Sequence, residues 1–405
     1  MNYEFFIAKR ITKQKGKTLS LPIVVIATLS IMLGIAVMII SISVLQGFKS
    51  EIKEKIIGFA SHVQVVPYNL SQTSLEEGIS LSKDEKERIL RIENVKSVNP
   101  FLTKMGVIKT KTDFGGVVLK GIDKDFDTSF FHHYMISGRF IEALKEGSNE
   151  ALISKQIADK LNLSINDKLR VYFHIDNGYR ARAFSVVGIY ETGLGDYDDK
   201  FVICNIKQLQ SLNKWADDRV EGYEILLNDF SKLDKSADEI YYALDKDKTI
   251  QTIAEIEPNL FTWLDLLDSN VFVILTIMIL VSIVTITSTL LIIIFERTNM
   301  IGILKGFGAT NKSIIKIFLY NATYIIIRGL LLGNILALGL CFLQDRFHII
   351  KLNQESYFLT SVPIEISVIQ IIMLNLATII ICVASLLIPV RSISKIDPIK
   401  SIRFD

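Results

Sequence analysis

The chain is poor in the residues that build catalytic and metal sites: three cysteines and five histidines in 405 residues. Cys341 and Cys382 fall inside apolar stretches. Cys204 stands alone in a long polar region, so no disulfide can form within that region and its own core must hold it together. A region of that size buries enough apolar surface to do so. Cys204 reads as a small core hydrophobe in a strand over Phe201–Asn205. His132 and His133 are adjacent, so they diverge on a strand or sit about 100° apart on a helix. No H-E-x-x-H and no C-x-x-C occurs. Gly16-Lys17-Thr18 has the ending of a phosphate-binding loop, but Ile11 stands where that loop needs its first glycine, and no strand precedes it. The carboxylates are scattered among lysines as on a solvated face. The chain also shows no internal repeat and no low-complexity linker. These absences argue against an enzyme, and the expectation is a non-catalytic chain with no bound metal, nucleotide or other cofactor.

What the chain does have is four long apolar stretches, spaced unevenly. They cover Pro22–Leu45, Val271–Phe295, Ile314–Leu343 and Ile364–Ile388. A helix rises about 1.5 Å per residue, so about 20 apolar residues cross a 30 Å hydrocarbon core. Each stretch is long enough. The expected organisation is an N-terminal interfacial helix and first span over 1–46, an extracytoplasmic domain with stalks over 47–268, and three further spans over 269–405. The first stretch is too long for a cleaved signal peptide, and no small-residue cleavage site follows it, so it reads as a retained span.

The net charge of +2 hides an asymmetry. Residues 47–268 hold 29 basic and 36 acidic residues, and the remainder holds 16 and 7. The excess of base sits beside the spans: Lys9, Arg10, Lys13, Lys15 and Lys17 before the first, Arg297, Lys305, Lys312 and Lys316 after the second, and Arg391, Lys395, Lys400 and Arg403 in the tail. The positive-inside rule puts both termini in the cytoplasm and the large domain outside. With a span starting so near, the N-terminal lysines orient the chain and do not imply a nucleic-acid partner.

Tyr3–Ile11 reads as a short interfacial helix. Leu45, Phe48, Ile52, Ile56 and Phe59 recur at helical spacing, so the first span continues outward as an amphipathic stalk, and Leu260–Ser269, with Trp263 and Leu267, returns the chain to the membrane as a second. Between them strand and helix signals alternate as mixed α+β, in two subdomains. Ser82–Glu85 has capping-box spacing and opens a helix to Ile92. Lys104–Lys111 and Val117–Ile122 flank a hairpin turn at Thr112–Gly116, and strands Lys168–Phe173 and Ala183–Tyr190 are joined by His174–Arg182.

Two features in the membrane part invite a function. Arg328 is the one formal charge deep in a span; at the bilayer centre it costs about 2.5–3.5 kcal/mol on insertion scales. No carboxylate lies deep within the spans. The expectation is therefore a bundle-facing Arg328 satisfied by water and backbone carbonyls, with Asn375 as a candidate hydrogen-bond partner, or a contact to an anionic lipid or substrate head group. Gly329, Gly333 and Ala337 give the same span a small-residue face for close packing. Second, Glu296–Lys312 follows the second span directly. Thr298 suits the cap of a short helix over 298–308, and Gly308 suits its end. Met300, Ile301, Ile303, Leu304 and Phe307 would make it an exposed apolar knob, which implies a partner protein or a helix lying flat on the lipid.

The segment ERTNMIGILKGFGAT, residues 296–310, resembles the coupling-helix signature of the MacB-fold (type VII) ABC permeases. Within them the chain resembles the lipoprotein-releasing LolC/LolE family. The supporting segments are YEFFIAKR at Tyr3–Arg10, GFKSEIKEKIIGFASHVQV at Gly47–Val65, SGRFI at Ser137–Ile141 with the run Ala151–Phe173, FSVVGIYETGLGDYD at Phe184–Asp198, SYFLTSVPIEI at Ser356–Ile366 and ISKIDPIKSIRF at Ile393–Phe404. The resemblance implies an α-helical membrane protein with four transmembrane helices and a large extracytoplasmic mixed α+β domain. It implies a permease that works with a separate ABC ATPase (LolD-like), which alone binds ATP and magnesium, and with a second permease subunit, identical or related. It further implies extraction of lipoprotein substrates from the inner membrane, among membrane lipids, and their hand-over to a periplasmic chaperone (LolA-like). On that basis Glu296, Arg297, Thr298, Met300, Ile301, Gly302, Ile303, Leu304, Lys305, Phe307 and Gly308 would couple to the ATPase. The hairpin His174, Ile175, Asp176, Asn177, Gly178, Tyr179 and Arg180 would dock the chaperone, and Leu45, Phe48, Ile52, Trp263 and Leu267 would line the acyl-chain cavity. Met300 stands where the superfamily often has an acid, and His174–Arg182 is shorter than the proline-bearing hook of LolC subunits. The rival readings are a MacB-like exporter permease, whose ATPase is fused at the N-terminus where this chain has about 20 residues before its first span, and an FtsX-like signalling subunit controlling cell-wall hydrolases, whose outer domain is usually smaller.

Overall fold

The computed structural model describes Glu4, residues 6–7, 20–68, 78–110, 113–142, 148–175 and 178–390. The interfacial helix expected over Tyr3–Ile11 lies mostly outside these residues. The chain divides into two compact units: one comprises 1–50, 263–351 and 361–405, the other 51–262 and 352–360.

The first unit is a helical bundle. Its four long apolar helices are Ser20–Ala60, Pro258–Glu296, Asn311–Phe347 and Val368–Ser385. At 41 and 39 residues the first two run roughly 60 Å, about twice a hydrocarbon core, so each extends well beyond the membrane. Ile31, Ile35 and Ile39 of the first helix, Ile286 and Leu290 of the second, and Phe318 and Ile325 of the third share one buried cluster. Gly329 and Gly333 do let the first and third helices touch: a Cβ at Gly333 would lie 1.8 Å from Ile35 Cγ2. Ser30 donates to Thr285 Oγ1 at 3.3 Å across the first two helices. Asn334 and Asn375 join the third and fourth through reciprocal amide bonds of 2.8 and 3.0 Å.

That last pair corrects an expectation. Asn375 is committed to Asn334 and to the Ile371 carbonyl, so it is not the partner of Arg328. Nor does Arg328 face the bundle. It lies on the exposed side of its helix, because the buried side is already defined by Ile325, Ile326, Gly329 and Leu330.

The second unit is the mixed α+β domain. Its strands are β1 Val63–Pro67, β2 Val95–Lys109, β3 Phe114–Ile122, β4 Met135–Gly138, β5 Glu150–Ser154, β6 Lys168–Ile175, β7 Gly178–Tyr190, β8 Phe201–Asn205, β9 Gly222–Leu227 and β10 Lys248–Thr252. β2 is the spine. Its first half pairs with β9, which continues to β1 and β10; its second half pairs with β3. The pairings β2–β3–β8–β5–β7–β6 return to β2 through Val107↔Tyr172 and Ile108↔Val171, closing a ring. Closure pairs the strand edges that would otherwise template aggregation. Asn99-Pro100 reads as a breaker, yet β2 passes through it from Val95, nine residues earlier than the expected Lys104, with Pro100 opposite Tyr223. Thr112–Gly116 is not all turn: Gly115 and Gly116 pair with Ile108 and Val107 of β2, and the Thr110 amide donates to the Asp113 carbonyl at 2.9 Å, while Lys111 and Thr112 lie outside the described residues.

Ser82 forms the expected capping box with Glu85. His132 and His133 end a short helix, Ser129–His133. Cys204 is fully buried in β8. The connection 352–360, between the third and fourth spanning helices, belongs to this unit; the Lys55 ammonium donates to the Phe358 carbonyl at 2.9 Å.

Candidate functional site

The connector after the second span folds as a helix, Thr298–Gly306. Thr298 does not cap it. Its hydroxyl donates back to the Phe295 carbonyl at 2.7 Å, and Arg297 takes the cap position without a side-chain bond. The helix ends in a Schellman motif: Gly308, at φ +86°, donates to the Lys305 carbonyl and Ala309 to that of Leu304, each at 3.0 Å. Thr310 then accepts from the Ser313 amide and starts the third span.

Only part of the expected apolar knob is exposed. Ile301 is fully buried, and Met300 and Leu304 pack against the same cluster that holds the bundle together. Ile303 at 46% and Phe307 at 88% exposure remain bare, one turn apart on one face. Glu296 and Gly308 flank them as exposed positions; Gly302 is buried, and Lys305 and Arg297 are half-buried. The reason is geometric: a single amphipathic helix cannot turn five apolar side chains outward while also packing on its own bundle. The result is a fixed two-residue prong.

In the other unit the expected hairpin connection His174–Arg182 is itself mostly strand. His174 pairs with Tyr179, Phe173 with Arg180 and Val171 with Arg182, so β6 and β7 form a tight hairpin. Asp176 and Asn177 lie outside the described residues. Arg180 shares the face of buried Phe173 and donates to the Leu212 carbonyl at 3.3 Å, so it points away from the open face. The residues directly opposite one another in register lie on one face, and β2 through β7 line up Phe114, Met105, Val107, Tyr172, His174 and Tyr179 on the outward side. Phe114, Met105 and Tyr179 are each about 80% exposed. The His174 and Tyr179 rings meet at 5.4 Å. A sheet face with three bare large apolar side chains is a docking surface by composition. Its sequence signal was the alternation Met105-x-Val107-x-Lys109, which does not say which parity faces water.

The stalk residues divide. Leu45, Phe48, Trp263 and Leu267 are half-buried, but Ile52 is fully buried in the α+β unit. Lys49 makes an ion pair with Asp268 at 2.6 Å between the two long helices. Among the described residues no cluster of three His, Cys, Asp or Glu side chains is placed to hold a metal.

Two family models match. The MacB-like periplasmic core domain covers residues 24–256, and the FtsX-like permease C-terminal domain covers residues 272–398. The LolC transmembrane protein of the lipoprotein-releasing system of Buchnera aphidicola is 25% identical over 93% of this chain and 92% of its own length. The LolE protein of Haemophilus influenzae is 24% identical over 98% of each. The chain belongs to the LolC/LolE family of ABC permeases. The solved periplasmic region of MacB from Actinobacillus actinomycetemcomitans is 12% identical at a TM-score of 0.35, covering 51% of this chain and 95% of that one. As a LolC/LolE-family permease the chain is a multi-pass inner-membrane protein with a periplasmic domain, and ABC permease subunits are generally non-catalytic. The first model takes in most of the first spanning helix and nearly all of the α+β unit, and the second covers the other three spanning helices with the connection 352–360.

Proposed function

We propose that this chain is the permease subunit of an ATP-driven complex that lifts lipoproteins out of the inner membrane and passes them to a periplasmic chaperone. The observation that carries the reading is the Ile303–Phe307 prong: an apolar pair that a water-facing connector holds rigidly and leaves uncovered. In this reading a separate LolD-like ATPase receives the prong and carries ATP and magnesium, while this chain binds no cofactor. A second permease subunit completes the membrane part. Both termini and the prong are cytoplasmic, in keeping with the basic flanks.

An acylated anchor holds tens of methylenes, each worth about 0.8 kcal/mol of burial, so extraction needs an external energy source. ATP-driven closure of the ATPase would push the prong, and the two unbroken helices Ser20–Ala60 and Pro258–Glu296 would carry that movement outward. The hairpin face of Met105, Phe114 and Tyr179 would receive a LolA-like chaperone. Depleting the chain tests the reading: lipoproteins should accumulate in the inner membrane, and a chain carrying Ile303→Glu and Phe307→Glu should fail to rescue while losing its ATPase on purification. Normal lipoprotein sorting on depletion would leave the exporter or the cell-wall signalling reading in its place.

A further inference from the structure

Arg328 is exposed, and among the described residues it has no hydrogen bond or ion pair. It sits twelve residues after Lys316 and seventeen before Asp345, so about 18 Å and about 26 Å along the helix from the nearest charges on either side. Its exposed neighbours Ile327, Leu331 and Ile335 are apolar. An unpaired guanidinium in that setting is unfavourable unless an acceptor reaches it.

The helix supplies a route for one. Lys312, Lys316, Tyr320, Tyr324 and Arg328 recur every four residues, and all five are exposed. Residues four apart form one ridge on a helix. The ridge therefore runs from the two lysines at the helix start, past two phenols, to the arginine. Side chains on a helix lean toward its N-terminus, so Arg328 reaches back toward Tyr324 and the lysine-bearing end.

Protein acceptors for Arg328 are scarce. The one acid in the four apolar stretches is Glu365, at the start of the fourth; its amide meets the Ser43 carbonyl, whereas Gly329 packs on Thr28 and Ile31 about 20 Å along the same helix, so a second copy of this chain offers no carboxylate at that depth. The Asn334–Asn375 amides are already mutually bonded. A phosphate diester suits the ridge: it matches the guanidinium fork in two bonds and accepts from phenol hydroxyls. The geometry points to a binding site for an anionic phospholipid from the leaflet at the Lys312 and Lys316 end, with its phosphate on Arg328 and Tyr324, Tyr320 along its path and the two lysines at its mouth.

The test uses the full chain, with whatever subunits co-purify, in nanodiscs of phosphatidylethanolamine and phosphatidylglycerol, followed by release into mild detergent and mass spectrometry of retained lipid. Retention of phosphatidylglycerol should fall about tenfold in Arg328→Gln, the size of one lost charge-assisted bond, and by a smaller factor in Arg328→Lys, which keeps the charge but not the fork. Tyr324→Phe together with Tyr320→Phe should lower it by a smaller factor, and this pair decides the matter if Arg328→Gln does not fold. Unchanged retention in either variant overturns the site. Displacement of the lipid by inorganic phosphate alone would make it a free-anion site instead. Loss of a co-purifying subunit from Arg328→Gln with lipid retention intact would assign Arg328 to a protein carboxylate, and also overturns it.

Discussion

Lys120→Met is the sharpest probe of how the periplasmic domain is held together. Lys120 and Glu224 are each about 3% exposed and lie 2.6 Å apart, between β3 and β9. The same ammonium donates to the Phe59 carbonyl at the end of the first long helix, and Gln64 donates to Glu224. Removing Lys120 leaves a buried carboxylate without its counter-charge and a helix-end carbonyl without its donor. Breaking one side of a buried pair costs about 3–5 kcal/mol, and a domain of this size loses about 2–4 °C per kcal/mol, so unfolding should move down by roughly 6–20 °C. Replacing both partners, Lys120→Met with Glu224→Leu, should recover most of that loss. Fully buried Cys204 gives the assay: thiol labelling of the full chain against temperature, with peptide mapping to separate it from Cys341 and Cys382. The pH dependence has a definite sign. Burial raises the Glu224 carboxyl above its ordinary value, and Lys120 opposes that rise. Without Lys120 the folded state favours the protonated acid further, so the deficit should shrink as pH falls toward 5 and grow as pH rises toward 8. A single variant within about 3 °C of the parent, or a double variant as unstable as the single, would refute the argument.

Three more outcomes follow from the same geometry. Met105→Glu with Phe114→Glu should leave folding unchanged, because both side chains are about 80% exposed, yet abolish chaperone binding in a pull-down; normal binding would remove the hairpin face from the proposed function. Gly333→Val should collapse the folded yield, because even a Cβ there meets Ile35 and the Met32 carbonyl, at an overpacking cost of about 1–3 kcal/mol or more, while Gly339→Val, with open space around it, should be silent by size-exclusion profile. His62 is buried and accepts from the Leu227 amide at 3.1 Å; burial, with Lys96 adding, lowers it to about 4. The folded chain therefore keeps His62 neutral down to about pH 4 while the unfolded chain takes up a proton near 6.5, so stability is lost as pH falls from 6.5 toward 4, by up to about 1.4 kcal/mol per pH unit, a slope that His62→Gln should remove from an unfolding titration.

The parts of the fold legible in the sequence were those written in local pattern. Apolar runs fix a span because hydrocarbon tolerates only a self-bonded helix, and the capping box at Ser82 and the glycine at Gly308 mark helix ends through bonds made within a few residues. The coupling segment and the hairpin were located by resemblance, but their exposed residues were not. Met300, Ile301 and Leu304 look as free as Ile303 and Phe307 until the bundle covers three of the five. Met105, Phe114 and Tyr172 carried no signal of their own, since alternation in a strand gives two faces and does not name the wet one. Arg328 failed for a related reason: its charge argued for the bundle interior, while the packing of Gly329 and Gly333 on the first helix had already chosen the opposite side.

By itself the sequence determined how many times the chain crosses the bilayer and where helices such as those at Ser82 and Gly308 begin or stop, because each of those depends on neighbours along the chain. Which side of each helix and strand remains open to a partner was decided only when β2 met β9, β3 and β6 and the four spans met one another. Burial is a property of what lies across the gap, and those contacts join residues tens to hundreds of positions apart.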